Sequence, residues 1–342
     1  MQCVNPMFAF AVPYREDGIF KHKIFFNSPS MLKSKEYRNA HVFSIYELPC
    51  GKCVCCRENK AREWALRLKC ESYLHDVTSF ITLTYDDDHL PPGGNLNYKD
   101  VQLFLKRLRK SQESKIRFFC AGEYGSTTSR PHYHLIIYNY MPSSARTFSK
   151  SESGTLYTSE SLSSYWRLGN AVFSAANTAT MLYTARYAVK KIRDENDAKN
   201  GVKNDVKNND KKDLQKVPEF CRMSLRPGIG YNFLSKYQDD FKSGYLVDNN
   251  CRFSIPRYFR KKLVEDFNSD FQSIFQQNIN YAKLATINHL RNVQINEENE
   301  KDIIRLYGNK IYHPEKIRII REMLNDVVKS KYDLYDKRNQ EL

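Results

Sequence analysis

The run RPHYHLIIY, residues 130–138, narrows what this chain can fold into more than any other stretch. Its last four residues, Leu135 to Tyr138, are aliphatic or aromatic, a composition that suits a strand buried on at least one face. Side chains alternate sides along a strand, so His132 and His134 share a face and Tyr133 takes the other. A chain with eight histidines thus sets two of them side by side on one rigid element. Such a pair can begin a metal site, or can decorate a polar sheet face with no chemistry attached.

Neighbouring stretches supply that strand with partners. A helix from about Glu58 to Leu74 leads into FITLTY (80–85), which alternates as strands do. After a loop rich in Pro and Gly, residues 98–110 place Val101, Leu105 and Leu108 on one side of an amphipathic helix, with basic residues around them. A short strand at 116–120 runs into AGEYG and stands at hairpin spacing from HYHLIIY. A helix at 162–168, a strand at 171–175 and a helix at 180–192 follow. This order predicts an α+β domain with a central antiparallel sheet and flanking helices over 70–195.

Residues 1–69 read as an N-terminal segment, irregular to about 49, that carries a cysteine cluster. Ser/Thr-rich residues from 151 read as loop, and residues 196–216 as a polar linker or insertion. Residues 217–342 read as a mainly helical C-terminal region. A hydrophobic fraction of 41% is enough for a core. The net charge of +15 and pI near 9.3 favour a polyanionic partner. With 23 tyrosines and 20 phenylalanines, the chain suits single-stranded nucleic acid, although most of these rings belong to the core. No apolar stretch nears the roughly 18–20 residues of a membrane span, so no membrane partner is expected. The N-terminal apolar patch lacks a basic lead and is broken by Pro13, unlike a signal peptide. A cytoplasmic setting would keep the cysteines reduced.

Three groups of residues carry chemistry. Glu123 precedes His132 by nine positions, so a hairpin could swing its carboxylate toward the two imidazoles. Two histidines and a carboxylate leave open positions on a divalent cation, and phosphate chemistry favours Mg²⁺ or Mn²⁺ there. In YTARYAVKK, helical periodicity gives Tyr183, Tyr187 and Lys190 one face. A tyrosine can act as a covalent nucleophile and a nearby lysine can offset the charge; equally, such a face can simply pack on a sheet. Cys50, Cys53 and Cys56 have metal-site spacing for three ligands, and a four-coordinate zinc needs a fourth.

In chain order, ITLTY, GEYG…RPHYH and Y-x-x-x-Y-x-x-K match the three motifs of HUH endonucleases. With PCGKC, LTYDDDHLP, RPHYHLIIY, YTARYAVKK and MSLRPGIG, the chain resembles the replication initiators of gokushovirus-type microviruses from residue 1 to about 260. The resemblance implies a sheet of RNA-recognition type with the tyrosine helix laid across it. It implies His132, His134 and Glu123 as ligands of the catalytic cation, Tyr187 with Lys190 as the tyrosine–lysine pair, and Tyr183 as a second tyrosine. The implied reaction is a nick in the viral strand at the origin. It leaves a 5′-phosphotyrosine and a free 3′ hydroxyl, with later rejoining in rolling-circle replication. Implied partners are single-stranded and origin DNA and a host helicase and polymerase, in the host bacterial cytoplasm. The family also has a cysteine near its N-terminus, which makes Cys3 a candidate fourth zinc ligand, with Cys70 the local alternative. Basic stretches 106–110 and 257–262 and Arg130 are candidate backbone contacts, and no role follows for RPGIG.

Two other functions compete. A non-catalytic nucleic-acid-binding protein with a zinc module would explain the charge and the cysteines, but would not need paired tyrosines. A phosphoesterase with a histidine nucleophile would be modified on His134.

Overall fold

The computed structural model describes residues 3, 7–16, 19–26, 44–125, 128–151, 154–190, 216–248, 251–267, 270–275 and 277. Residues 1–59 belong to one unit and 60–293 to a second. In the first, β1 (Met7–Glu16), β2 (Ile19–Phe26) and β3 (Ser44–Leu48) form an antiparallel sheet in the order β2-β1-β3. The expectation of an irregular segment to residue 49 is therefore corrected. Pro13 pairs in register with His22 of β2, while β3 covers only Met7 to Ala11. Beyond Ala11 the described part of β1 has an open edge, where a residue without an N–H is tolerated.

The second unit centres on seven antiparallel strands. These are β4 (Thr78–Tyr85), β5 (Arg117–Tyr124), β6 (Pro131–Tyr138), β7 (Arg146–Ser151), β8 (Gly154–Thr158), β9 (Gly169–Ala175) and β10 (Phe220–Met223). Their order is β10-β5-β6-β4-β9-β8-β7, so the α+β class with a central antiparallel sheet holds. β5 and β6 form the anticipated hairpin, running from Arg117 opposite Tyr138 to Tyr124 opposite Pro131. Two expectations change. The Ser/Thr-rich stretch contributes the outer β7–β8 ladder, which solvent-facing polar residues can form because the backbone pairing is all it needs. The supposedly helical region after 217 contributes β10 to the sheet, and also carries β11 (Tyr245–Asp248) and β12 (Cys251–Ser254). Residues 196–215 and 278–342 fall outside the described residues.

Four helices cover the two faces of the sheet: α1 (Val54–Ser72), α2 (Tyr98–Lys110), α3 (Glu160–Trp166) and α4 (Thr178–Lys190). On one face Val101, Phe104, Leu105 and Leu108 of α2, with Leu162 and Trp166 of α3, meet Ile81, Leu83, Tyr133 and Leu135. Burial of each such large side chain is worth about 1.5–3 kcal/mol before chain entropy is counted. On the other face Ala61, Ala65 and Leu68 of α1 and Met181, Ala185 and Val189 of α4 meet Phe80, Phe119, Ile136 and Tyr138. By alternation this second face is also that of His132 and His134. α4 starts two residues earlier than its apolar pattern suggests. Asn177 caps it reciprocally: the Thr180 N–H donates to Asn177 Oδ1, and the Asn177 N–H to Thr180 Oγ1, both at 2.9 Å.

The RPGIG turn acquires a structural role. Arg67 of α1 donates to the Ile229 carbonyl at 3.0 Å, and the Gly230 N–H donates to Glu71 Oε2 at 2.6 Å. Ile229 itself is buried with Met181, Ala185 and Val189, so the turn wedges α4 in place. Gly230 has φ +82°, and a Cβ there would stand 2.6 Å from the Phe259 ring, so no other residue fits.

Candidate active site

Antiparallel register builds the site. Glu123 of β5 lies opposite His132 of β6, Ala121 lies opposite His134, and Thr82 of β4 flanks His134 on the other side. β5 runs past its expected end at Cys120 because β10 pairs with it from Phe119 to Gly122. Glu123 is thereby a buried strand residue and not a turn carboxylate. His134 Nε2 lies 2.7 Å from Glu123 Oε1, and its Nδ1 lies 3.0 Å from Thr82 Oγ1. An ionised carboxylate only accepts, so the Nε2–H donates to Glu123 and the Thr82 hydroxyl donates to Nδ1. The hydroxyl can rotate to accept instead, which lets His134 release Nε2 to a ligand without losing its second partner.

His132 sits beside this pair. Its Nδ1 is buried without a hydrogen-bond partner. Burial first, then the neighbouring His134, holds its pKa below the ordinary 6.5, with Glu123 pulling the other way. A neutral imidazole with an unsatisfied buried nitrogen is suited to taking a ligand. Gly125 makes room for the ring, since a Cβ there would come 2.5 Å from His132 Nε2. The donor atoms of Glu123, His132 and His134 do not all approach within 4.8 Å of one another, a condition met among the described residues by a group of thiols.

α4 brings its phenols to the same place. Tyr187 lies nearly parallel to His134, with ring centroids 5.2 Å apart and 21° between planes. Tyr183 meets His134 edge-on at 5.1 Å and Tyr187 at 4.8 Å. Phe80 stacks on His134 at 5.8 Å and supports Tyr183 edge-on at 6.1 Å. Lys190 is the last residue of α4, three positions after Tyr187. Thr82, Phe80 and Gly125 were not singled out in the sequence. The alternation of FITLTY puts Phe80 and Thr82 on one face, which was a usable signal; the need for Gly125 was not visible.

The thiol group consists of Cys3, Cys50, Cys53 and Cys56, with all four sulfurs within 4.8 Å of one another. Cys50 and Cys56 Sγ are 4.0 Å apart, and Cys53 and Cys3 Sγ 3.8 Å. Tetrahedral zinc with bonds of about 2.3 Å needs S···S separations of about 3.8 Å. The N–H groups of Lys52 and Cys53 point at Cys50 Sγ at 3.4 and 3.3 Å, and the Cys50 N–H at Cys3 Sγ at 3.2 Å. Such donors favour thiolates. Burial and the adjoining thiols raise the pKa of Cys56, a cost that a bound dication reverses. Cys70, the alternative ligand, instead lies among Leu234, Phe241 and Phe259, where burial pushes its thiol up to about 12. His89 faces Asp86 at 2.7 Å in an exposed loop, and Arg130 pairs with Asp87 and the Tyr85 carbonyl.

Residues 78–192 match the family model of the replication-associated protein ORF2/gene 2 protein. That span runs from β4 to the end of the tyrosine helix. The chain is 34% identical over 246 residues to the replication-associated protein VP4 of Bdellovibrio phage phiMH2K, across 69% of this chain and 73% of that one. It is 30% identical to the replication-associated protein ORF4 of Chlamydia phage 1, across 69% of this chain and 59% of that one. For the replication-associated protein ORF2 of Spiroplasma virus 4 the identity is 28%, across 79% and 83%. No solved structure matches. No described helix is long and apolar enough to cross a membrane. Likeness over most of both chains, with the family's own model falling on the strands and helix that carry these histidines and phenols, makes the chain a member of the phage replication-associated protein family.

Proposed function

We propose that this replication protein nicks single-stranded DNA at a phage origin by tyrosine transesterification and later rejoins the strand. The observation that carries the reading is the meeting of two phenol rings and the Glu123 carboxylate on one imidazole, His134. One tyrosine oxygen forms the new bond to phosphorus and the P–O3′ bond breaks. The phenol proton is given up and the departing 3′ oxygen takes one, leaving a 3′ hydroxyl and a 5′-phosphotyrosine. One phosphodiester replaces another, so no nucleotide triphosphate is consumed. The free 3′ hydroxyl then serves a host polymerase, in the host bacterial cell.

Glu123, His134 and His132 would hold a divalent cation, Mg²⁺ or Mn²⁺, the partnerless nitrogen of His132 supplying the last donor. When bound, the cation offsets negative charge on the scissile phosphate. The hydroxyl of Thr82 orients His134, and Phe80 fixes the ring plane. Lys190 offsets phenolate charge, a role assigned from its spacing along α4.

The direct test is a labelled single-stranded origin oligonucleotide incubated with the full chain and Mn²⁺. A denaturant-resistant protein–DNA band, absent with EDTA and mapped by mass spectrometry to Tyr183 or Tyr187, is the expected result. A modified His134 would mean a histidine phosphoesterase, and binding without any adduct would leave a binding module.

Gly125→Ala should separate geometry from stability. The clashing atom ends a flexible side chain, so the stability change should stay within about 0.5 kcal/mol. Displacing the His132 ring should nonetheless lower adduct formation about 10–100-fold, as changes beside a metal site do. A variant with wild-type cleavage would remove His132 from the site.

The four thiols hold a structural zinc in this reading. Elemental analysis should find one zinc per chain, and Cys53→Ser should release it and lower the melting temperature. Wild-type protein that takes up no zinc on titration would refute the assignment.

A further inference from the structure

We infer that a basic groove at the end of the sheet away from the histidines grips the sugar–phosphate backbone of duplex DNA. The inference rests on the proposed DNA-nicking function, which supplies the reason for a flanking duplex. The groove encloses about 520 Å³ between the end of α2, the start of β5 and the turn after β10. Arg109, Lys115 and Arg226 line it from these three separate segments, with Glu113 as a carboxylate on the same wall. None of the three cations has an ion-pair partner among the described residues. Arg117, which also lines the groove, is already neutralised by Glu71.

Basic residues at the end of α2 serve in part to complement its dipole, and Arg109 has that explanation available. Lys115 and Arg226 belong to no helix end, so the dipole does not account for them. Lys106 and Lys110, both exposed, continue the charge along the outside of α2.

Duplex is favoured over single strand by what the groove lacks. Single-strand sites pair backbone charge with exposed rings on which bases stack. Here the one lining ring, Phe118, is 6% exposed and lies under the Arg109 guanidinium at 5.5 Å, while the exposed apolar residue is Leu225. Cations without stacking faces match phosphates alone, which is how duplex backbone is held in register. Arg117 and Glu123 stand six residues apart on β5, roughly 20 Å at 3.3 Å per residue. Gripping and cutting are therefore separable.

The test measures binding of a short blunt duplex of arbitrary sequence to the full chain by fluorescence anisotropy across a salt series. The triple variant Arg109→Ala, Lys115→Ala, Arg226→Ala should bind at least tenfold more weakly. Its salt slope should fall by about 2.7, at about 0.9 for each lost phosphate contact. Metal-dependent adduct formation on a short single strand should be unchanged, so loss of duplex binding and loss of the nicking reading are told apart. Should the triple variant melt early, Lys115→Ala alone must still lower the slope by about 0.9. Duplex binding with the wild-type slope in both variants, or no duplex binding by the wild type, overturns the proposal.

Discussion

Replacing Glu71 with alanine is expected to cost about 3–5 kcal/mol of folding stability, the typical penalty for stranding one member of a buried ion pair. Glu71 is fully buried and receives Arg117, the Gly230 N–H at 2.6 Å and His75 at 3.3 Å. Burial alone would raise its pKa; the His75 and Gly230 hydrogen bonds and the charge of Arg117 outweigh it and hold the carboxyl below 4.5. The stabilisation is thus present above pH 4.5 and fades as pH falls through the lower folded value. Alanine would leave the Arg117 guanidinium, itself 5% exposed, with the Pro227 carbonyl at 2.9 Å and no anion. Urea denaturation should show the loss at pH 7 and a much smaller difference between wild type and variant below the carboxylate range. A loss under 1 kcal/mol at neutral pH would mean water or movement replaces the clamp. Because the same carboxylate holds Gly230 and, through it, Ile229 under α4, adduct formation should fall along with stability.

That clamp marks the boundary of what was legible in the chain. The alternating runs FITLTY and HYHLIIY, the amphipathic 98–110 stretch and the tyrosine helix depend on local periodicity, and each stands close to where the pattern puts it. Register did the rest locally, since hairpin spacing already places Glu123 near His132. The residues that escaped are those whose partners lie far along the chain. β5 extends to Tyr124 because β10, from about a hundred residues later, pairs with it; Gly122 takes the Phe220 ring where a Cβ would stand 2.9 Å away. RPGIG offered no local clue because its meaning lies in Arg67 and Glu71. The β7–β8 ladder escaped for the opposite reason: its residues are mostly solvent-facing, so no apolar alternation announces it. Cysteine spacing gave three thiols, and the choice between Cys3 and Cys70 needed the fold.

The double variant Tyr183→Phe, Tyr187→Phe should form no covalent adduct while folding normally. Phenylalanine keeps both rings, so the contacts to His134 and Phe80 persist, and loss of each hydroxyl should cost at most about 1 kcal/mol. Missing adduct in a protein with near wild-type stability is then a chemical loss. The single variants carry more information. The two ring centroids stand 5.1 and 5.2 Å from that of His134, so ring position gives neither phenol an advantage. Each single variant should still nick, within about tenfold of wild type, a barrier difference under about 1.4 kcal/mol. Neither should release closed circles, because the second cut needs a fresh phenol while the first still carries DNA. The rings touch edge-on at 4.8 Å, close enough for one phosphate to pass between their oxygens with little movement of α4. If one single variant lost all nicking, that tyrosine would be the sole first nucleophile and the other would serve only in transfer. A covalent band surviving the double substitution would place the nucleophile outside α4, and the paired phenols would revert to packing.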